Sequence, residues 1–298
     1  ADYLKIKKII FLKDHNPKKF LLNHQPKLII IGKAFHNGII ELAKEAKILG
    51  IKVISIFDDW HFENNNHETL KRSQINLELA KLSEISLTKT KSASDLICKN
   101  INITPKIIPD CIRYKSLEVV SNFDYPFNIS WFGNYTNHKT IIKGINELVN
   151  SKHKFKLQII SNKLDQLKLS LNNINKNIPI DYIEWSLDLS QHIINSNIII
   201  IPLLNNNKSL VKSSNRIVDS LNMGRFVIIS DNEQFKEFKE YCFFGDIGQG
   251  LNWLKNNDII ANKMIKSGQN YVVKNYSLQI IADKWKSIIN SLGFKLIV

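Results

Sequence analysis

The sequence predicts an α/β protein with two parallel sheets, each covered by helices. Short apolar runs alternate with amphipathic segments of helical length along most of the chain. The runs are too short to be helices and apolar at every position, which is typical of the buried strands of parallel sheets. The alternation pauses at about residues 115–127 and then starts again, so we predict two similar α/β halves joined by a linker.

The first half contains five candidate strands and the helices that connect them. The predicted strands are 8–12, 28–32, 53–57, 85–88 and 106–109, and the predicted helices are 38–49, 67–82 and 92–98. Gly50 closes the first helix, and Ser92 or Ser94 can cap the last one. This order of elements predicts an N-terminal domain over residues 1–122.

The second half repeats the pattern. The predicted strands are 129–132, 155–161, 180–185, 197–202, 226–229 and 242–244, and the predicted helices are 138–149, 163–171, 187–194, 212–223, 233–239 and 277–292. We predict a C-terminal domain over residues 127–276. Neither half has the glycine pattern of a dinucleotide-binding turn or of a phosphate-binding P-loop.

The composition and the net charge limit the classes of function that the chain can have. The 298 residues carry a formal net charge of +14, and 20 of the basic and 14 of the acidic residues lie in residues 1–126. This even spread, without a basic tail or an RNA-binding signature, argues against a nucleic-acid partner. The three cysteines fit a reducing compartment, and neither an export signal nor a membrane span is evident. We therefore expect a cytoplasmic protein, with the positive charge available for an anionic substrate or membrane surface.

The most informative stretch is 198–230, a buried strand followed by a polar loop, a helix and a second buried strand. Ser213, Ser214 and Asn215 can cap the helix, whose free amide groups and positive dipole end favour an anion. Lys212 and Arg216 add positive charge, and arginine can hold a phosphate through two hydrogen bonds. Asp219 follows on the same predicted helix face, where a carboxylate can accept hydrogen bonds from two vicinal hydroxyl groups. This pattern suits a nucleoside diphosphate, although a solvated face with an ion pair explains the same spacing.

The run from Lys212 to Ile228 resembles the donor-binding segment of GT-B fold glycosyltransferases, in particular the family-four-like group. In that family two acidic residues stand eight apart, and the second one binds the ribose. Asp219 stands at the second position, five residues before Gly224, but the first position holds Val211. The departure at Val211 puts the donor sugar and the stereochemistry of transfer in doubt.

The resemblance extends to the plan of the whole chain. It implies two Rossmann-like domains facing each other across a cleft, with the C-terminal helix, residues 277–295, packing back on the first domain. Gly133 and Asn134 resemble the turn that opens the second domain, and Trp185 stands where the family places a strand end that lines the base pocket. The resemblance therefore implies that Gly133, Asn134, Trp185, Ser213, Ser214, Asn215 and Asp219 bind the donor.

Two strand ends in the first half carry further candidates. Asp59 and His61 follow the strand 53–57 directly, and either side chain can take a proton from an acceptor hydroxyl. A cap for the next helix is the alternative role for this turn. His36 and Asn37 follow the strand 28–32 and are candidates for the acceptor side, or for an ordinary strand-to-helix connection. Asp58 and Asp59 are adjacent, so their side chains point opposite ways and do not form a metal-binding pair.

These observations favour a metal-independent, hexosyltransferase-type enzyme that moves a sugar from a nucleoside-diphosphate donor to an acceptor hydroxyl, as in polysaccharide or glycolipid synthesis. Arg216 and Lys212 neutralise the leaving diphosphate, and Asp59 or His61 is the base if configuration inverts. The nucleotide sugar is a substrate, and no separate cofactor is expected. The expected partners are this donor, a saccharide or lipid-linked acceptor and, at the periphery, an anionic membrane. The open alternatives are a nucleotide-sugar epimerase or hydrolase, a non-catalytic binding subunit, and a basic surface-binding module.

Overall fold

The computed structural model describes residues 16–34, 36–60, 62, 67–172, 174 and 178–294. The chain forms two compact units. Unit 1 comprises residues 1–110, 210–213 and 281–298, and unit 2 comprises residues 111–209 and 214–280. Each unit is built on its own parallel sheet, as the alternation of apolar runs and helices predicts.

Unit 1 contains a four-stranded parallel sheet in the order β1-β2-β3-β4. Its strands are β1 (Leu28–Gly32), β2 (Lys52–Phe57), β3 (Ile85–Thr88) and β4 (Lys106–Ile107), and its first four helices are α1 (Pro17–His24), α2 (Gly38–Ile48), α3 (His67–Leu82) and α4 (Lys91–Ile101). The predicted elements from residue 28 onward are confirmed, and the predicted strand 8–12 lies outside the described residues. Asn16 and Thr90 cap α1 and α4 through their side chains.

Two apolar clusters hold unit 1 together. One packs α1, α2 and α3 on the sheet. The other gathers Phe57, Trp60, Phe62 and helix α4 around Val211. Val211 is almost fully buried there, which fixes the short segment 210–213 within this unit.

Unit 2 contains a six-stranded parallel sheet in the order β10-β9-β8-β5-β6-β7. Its strands are β5 (Phe127–Phe132), β6 (Phe155–Ser161), β7 (Ile180–Glu184), β8 (Ile198–Ile201), β9 (Phe226–Ile229) and β10 (Phe243–Phe244). All four residues of β8 and all four of β9 are buried. Burial of each such side chain contributes about 1.5–3 kcal/mol before entropy is counted, which makes these two strands the centre of the unit.

The helices of unit 2 cover both faces of its sheet and enclose two apolar clusters. They are α5 (His138–Asn150), α6 (Leu164–Leu171), α7 (Leu189–Ile193), α8 (Asn207–Leu210), α9 (Asn215–Asn222), α10 (Ile247–Asn256) and α11 (Asp258–Tyr276), with 3-10 turns at Tyr135–Asn137 and Glu233–Phe238. The last helix, α12 (Leu278–Ser291), belongs to unit 1 from Ile281 onward.

The predicted helix over 212–223 is wrong at its start. Helix α9 begins at Asn215, and the preceding residues 211–213 are not helical. Val211 explains the difference, because its apolar side chain is buried in the cluster around Phe57 and Trp60. The segment is therefore held in a conformation that propensity alone does not predict. A short helix, α8, also forms inside the predicted loop.

Residues 111–126 contain no helix or strand, and they pack closely on the rest of unit 2. Val120 donates its amide to the Gly224 carbonyl, and Arg225 donates to the Glu118 carbonyl. Gly224 has a φ of +64°, and a Cβ there would lie 2.8 Å from the Glu118 carbonyl oxygen. This glycine therefore ends the α9 segment and allows the chain 118–120 to approach.

Candidate functional site

The strand order of the unit 2 sheet reverses between β5 and β8, and open α/β sheets bind ligands at such a reversal. From β5 the chain moves outward to β6 and β7, and from β8 it moves outward the other way to β9 and β10. The carboxyl ends of β5 and β8 lead to the Gly133 turn and, through Pro202 and α8, to the N-terminus of α9. The predicted donor residues of unit 2 therefore belong to one edge of one sheet.

The turn after β5 is already saturated with internal hydrogen bonds. The amide of Gly133 donates to the Ile160 carbonyl, and the amide of Tyr135 donates to the Asn162 side chain. The Asn134 side chain accepts from the amide and the hydroxyl of Thr136. The amide groups of Gly133, Tyr135 and Thr136 therefore already have acceptors within the protein.

The N-terminus of α9 is arranged differently. Ser214 is the N-cap residue, but it makes no side-chain cap hydrogen bond, so the predicted capping is wrong. Tyr276, which lies near Ser214, donates its hydroxyl to Glu237 at 3.1 Å. Burial, with the nearby Glu237, raises the pKa of Tyr276. The first turn of α9, which includes Asn215, is therefore left without a side-chain cap, and its amide groups suit an anion.

Arg216 lies in that first turn and has a buried guanidinium group. The residue as a whole is partly exposed, but its Nη1 atom is buried and has no hydrogen-bond partner among the described residues. Burial lowers the pKa of Arg216 to about 10, so the side chain stays protonated at neutral pH. That change corresponds to a cost of about 3 kcal/mol for the charged form, which an anion bound at this point would recover.

Asp219 does not have the geometry of a ribose ligand. Its side chain is 0% exposed, and it faces the chain segment 111–126. Arg113 donates its amide to Asp219 Oδ1 at 3.2 Å, and its Nε and Nη2 to Oδ2 at 2.9 and 2.5 Å. The predicted ribose-binding role is corrected on this basis, since both carboxylate oxygens of Asp219 already accept hydrogen bonds inside the protein.

Trp185 follows β7 at the carboxyl edge of the same sheet. Its amide donates to the Ser161 carbonyl, which fixes the backbone at the end of the strand. The residue is 42% exposed, so part of it is open to solvent. An aromatic ring in this position can stack on a nucleobase.

Lys212 does not share a face of α9 with Arg216. It precedes the helix and belongs to unit 1, where its Nζ donates to Asp59 Oδ1 at 2.8 Å. Both side chains are about half exposed. Two of the predicted catalytic residues, Lys212 and Asp59, are thus ion-paired with each other, and His61, the second candidate of the turn after β2, lies outside the described residues.

A second polar cluster lies at the carboxyl edge of the unit 1 sheet. Lys89 Nζ lies 2.8 Å from Asp110 Oδ1 and 3.7 Å from Asp58 Oδ1. The Asp58 Oδ1 atom is buried and has no hydrogen-bond partner in the described part of the chain. Burial raises the pKa of Asp58, Asp110 and Asp59 raise it further, and Lys89 and Lys33 lower it. Sequence reasoning singled out Asp59 and missed this cluster, although Asp58 is its neighbour.

The two acceptor-side candidates lie between β1 and α2. His36 is partly buried, and its carbonyl accepts from the Ile39 amide. Asn37 is the N-cap residue of α2 but makes no side-chain cap hydrogen bond. Asn37 instead helps to line a cavity of about 500 Å³ between α2 and α3. The other lining residues are both apolar and charged or polar: Ile40, Leu70 and Ile75, and Glu41, Lys44, Lys71, Gln74 and Glu78.

The described residues contain neither a metal-binding cluster nor a membrane-spanning helix. No group of three or more His, Cys, Asp or Glu side chains with metal-binding geometry occurs among them. Within the same residues, no helix combines the length and the apolar character needed to cross a membrane.

Comparison with solved structures identifies the architecture. HepE from Anabaena, in complex with UDP and glucose, matches with a TM-score of 0.73 at 12% identity, over 92% of this chain and 81% of that one. TarM matches with a TM-score of 0.69 at 12% identity, over 92% of this chain. The UDP-forming α,α-trehalose-phosphate synthase of Burkholderia vietnamiensis matches at 0.67 and 10% identity, over 93% of this chain and 78% of that one.

The chain has the GT-B fold. This confirms the predicted fold class. No protein-family model and no curated protein sequence matches the chain, so the family-four-like assignment stays a resemblance. The chain spans 57% of the length of the TarM chain. In the GT-B fold of this chain, the Arg216 site lies in unit 2, and the Asp58 cluster lies in unit 1.

Proposed function

We propose that this GT-B protein is a glycosyltransferase that moves a hexosyl group from a nucleoside-diphosphate sugar to an acceptor hydroxyl, in the synthesis of a cell-surface polysaccharide or glycolipid. The observation that carries the proposal is the buried, unpartnered Nη1 of Arg216 at the uncapped N-terminus of α9. The fold supports it, because HepE, a structure of the same fold, contains UDP and glucose.

In this proposal Arg216 and the first-turn amide groups of α9 bind the diphosphate. Negative charge grows on the diphosphate as the bond between the anomeric carbon and its oxygen breaks. A guanidinium group that is already buried and oriented stabilises that charge without reorganisation, so no metal ion is required for this step. The helix dipole contributes in the same direction.

The remaining donor contacts are assigned from exposure. Trp185 stacks on the base through its exposed part. Ser213, Asn215 and the turn at Gly133 and Asn134 complete the edge of the sheet. Lys212 is paired with Asp59 within unit 1, an exposed ion pair worth only about 0–1 kcal/mol, and its role in neutralising the diphosphate stays a prediction. Asp219 acts indirectly, by holding the segment around Arg113 in place.

The acceptor is proposed to bind to unit 1, near His36 and Asn37. The cavity that Asn37 lines offers hydrogen-bonding groups at its rim and an apolar floor. A saccharide presents the same mixture of hydroxyl groups and apolar ring faces. This assignment is tested by the KM for the acceptor in Asn37→Ala, which should rise while the KM for the donor stays constant.

The charge of the chain supports a place of work at an anionic membrane surface. The net charge is +14, and the described surface of unit 1 adds exposed Leu22 on α1 and Ile48 at the end of α2. Basic residues near such apolar side chains favour peripheral binding. Sedimentation with anionic vesicles, compared with neutral ones, tests this part of the proposal separately.

A non-catalytic binding subunit is the second candidate. Val211, which replaces the first acidic residue of the family pattern, is buried in an apolar cluster. Asp219, at the second acidic position, accepts a hydrogen bond from Arg113. If the wild-type protein binds a nucleotide sugar but never turns it over, this alternative is confirmed.

The deciding experiment measures thermal stability with UDP, GDP, CDP, dTDP and ADP, with and without magnesium. A diphosphate at 100 times its dissociation constant should add about 2.7 kcal/mol of stability. We expect one base to stand out and the shift to survive without magnesium. Arg216→Ala should reduce this shift and lower kcat by about 10²–10³-fold, as for other lost oxyanion contacts.

Arg72→Ala is the matched control for Arg216→Ala. Arg72 lies on the surface of α3 and pairs with Glu68, so its loss removes the same charge without touching the site. If Arg216→Ala binds and turns over donor as the wild type does, Arg216 has no role in the reaction. If no diphosphate stabilises the wild-type protein, the glycosyltransferase proposal fails as a whole.

A further inference from the structure

The strand register of unit 1 brings two carboxyl groups and one ammonium group together. Phe57 of β2 is paired with Thr88 of β3, and Thr88 is paired with Ile107 of β4. Asp58 and Lys89 are the next residues of their strands, and Asp110 follows β4 after a short turn. Parallel strands end at the same edge, so their first loop residues are placed side by side by the sheet itself.

Lys89 is shared unequally between the two aspartates. Its Nζ is at hydrogen-bonding distance from Asp110, 2.8 Å, but 3.7 Å from Asp58. The Asp58 Oδ1 atom is therefore buried with a positive charge nearby but no hydrogen bond. Two carboxylates and one ammonium carry one negative charge in excess, and a proton from a substrate can cancel it. Asp58 is the member of the pair that is placed to take this proton.

Four charged groups in the described part of the chain influence the pKa of Asp58. Lys89 and Asp110 come from β3 and from the turn after β4, Lys33 from the turn after β1, and Asp59 from the same loop. Burial and the two aspartates favour the protonated form of Asp58, and the two lysines oppose it. A base with a pKa closer to neutrality than that of an ordinary carboxylate is the better proton acceptor.

Asp58 is also accessible, which a base must be. Its side chain is 37% exposed, while Lys89 is only 14% exposed. The lysine is thus enclosed, whereas the Asp58 side chain is partly open to solvent at atoms other than the buried Oδ1. Asp59 differs, because its Oδ1 accepts a hydrogen bond from Lys212 at 2.8 Å. That contact engages the Asp59 carboxylate in an ion pair within unit 1.

We propose that Asp58 is the general base of the transfer reaction and that the reaction therefore inverts the configuration at the anomeric carbon. The inference rests on the glycosyltransferase function proposed above. The acceptor hydroxyl gives its proton to the Asp58 carboxylate, and its oxygen forms a bond to the anomeric carbon of the donor. The bond from that carbon to the diphosphate breaks, and the diphosphate leaves with the electron pair. Lys89 and Asp110 position Asp58 and set its affinity for the proton.

The test compares Asp58→Asn with the wild type and with Asp95→Asn. Asp95 is an exposed residue of α4 in the same unit, paired with Lys91, so the control makes the same chemical change outside the cluster. Asp58→Asn should lower kcat by about 10²–10⁴-fold, the usual contribution of a general base. The thermal shift with nucleoside diphosphate should stay as in the wild type. Asp95→Asn should keep wild-type activity.

The pH profile separates a base from a merely structural residue. The wild-type kcat should rise with pH along a limb set by Asp58, and this limb should vanish in Asp58→Asn. Asp110→Asn should move the limb to lower pH, because it removes a negative charge beside Asp58 and frees Lys89 to pair with it. A limb that stays in place in Asp110→Asn would contradict the assignment.

The configuration of the product gives an independent readout. NMR of the new glycosidic bond should show the anomer opposite to that of the donor. Retention of configuration, or near-normal kcat in Asp58→Asn with activity lost only in Asp59→Asn, overturns the inference while the glycosyltransferase proposal stands. Absence of nucleotide binding and of transfer in the wild type overturns the proposed function instead.

Discussion

The contact between Arg113 and Asp219 should be among the most important single interactions of unit 2. The Asp219 carboxylate is 0% exposed, and the Arg113 side chain supplies two charge-assisted hydrogen bonds to it. Arg113→Ala leaves the carboxylate buried without its counter-charge. Removal of one partner from a buried pair costs about 3–5 kcal/mol. Because the Arg113 side chain is 43% exposed, we expect a loss near the lower end, about 3 kcal/mol of the free energy of unfolding.

Arg72→Ala provides a matched control for this prediction. The Arg72 side chain is 42% exposed, almost the same as that of Arg113, but its partner Glu68 is 74% exposed instead of buried. An exposed pair of this kind on a helix contributes about 0.3–0.5 kcal/mol. The two variants therefore lose the same residue type at the same exposure and differ in the burial of the carboxylate. Urea unfolding followed by tryptophan fluorescence and circular dichroism measures both.

A second substitution tests the reason for the loss. If the cost of Arg113→Ala comes from an uncompensated buried charge, then Asp219→Asn added to it should recover part of the stability. Additive losses in the double variant, or equal losses in Arg113→Ala and Arg72→Ala, would refute the reasoning. Either result would show that the Asp219 carboxylate is not buried as the structure has it, and the ribose-binding role would be open again.

Two further predictions concern a glycine and the proposed base. Gly224→Ala should cost at least about 2 kcal/mol of the free energy of unfolding, because the new Cβ clashes with the backbone of residues 118–119 and the φ of +64° is strained for alanine. Gly50→Ala is the control: its φ is +71°, but no atom lies within 4 Å of the new Cβ, so it should cost only about 1 kcal/mol. Equal losses of the two variants in urea unfolding would contradict this prediction. Asp58→Asn should be more stable than the wild type at neutral pH. The pKa of Asp58 is raised in the folded protein, so the folded state binds the Asp58 proton more tightly than the unfolded chain does. The stability of the wild type therefore falls as the pH rises from the pKa of the unfolded state to that of the folded state. Thermal midpoints from acid to neutral pH should show this gap opening, and a constant gap would contradict it.

The sheets could be predicted from the sequence because their signal is local. The strand Ile198–Ile201 is apolar at every position and is buried at every position, as a central parallel strand requires. Gly50 and Gly224 mark helix ends through a positive φ that other residues rarely adopt. These features depend on a few neighbouring residues, so the local sequence pattern is enough to predict them.

The candidate site was predictable only in part, because its contacts are long-range. Arg113 is 106 residues from Asp219, and no spacing rule connects them. The sequence predicts Asp219 on one open helix face with Lys212 and Arg216, whereas Lys212 precedes the helix and all residues from Ile217 to Asn222 are buried. A short polar helix enclosed on all sides gives the same pattern as a surface helix until its partners are known. Arg216 was assigned from its position, but its unpartnered Nη1 could be seen only in the structure.

The departure at Val211 and the cluster at Asp58 have a common physical explanation. An acidic residue at position 211 would place a charge in the apolar cluster with Phe57 and Trp60, where an unpaired carboxylate is costly to bury. With valine there, the segment is held by apolar packing, and the next residue, Lys212, pairs with Asp59. This pairing engages one carboxylate of the loop after β2 and leaves Asp58, beside the enclosed Lys89, to exchange a proton. Under the proposal that Asp58 is the base, the valine that departs from the pattern of the resembling family therefore accompanies a base in unit 1 and inversion of configuration.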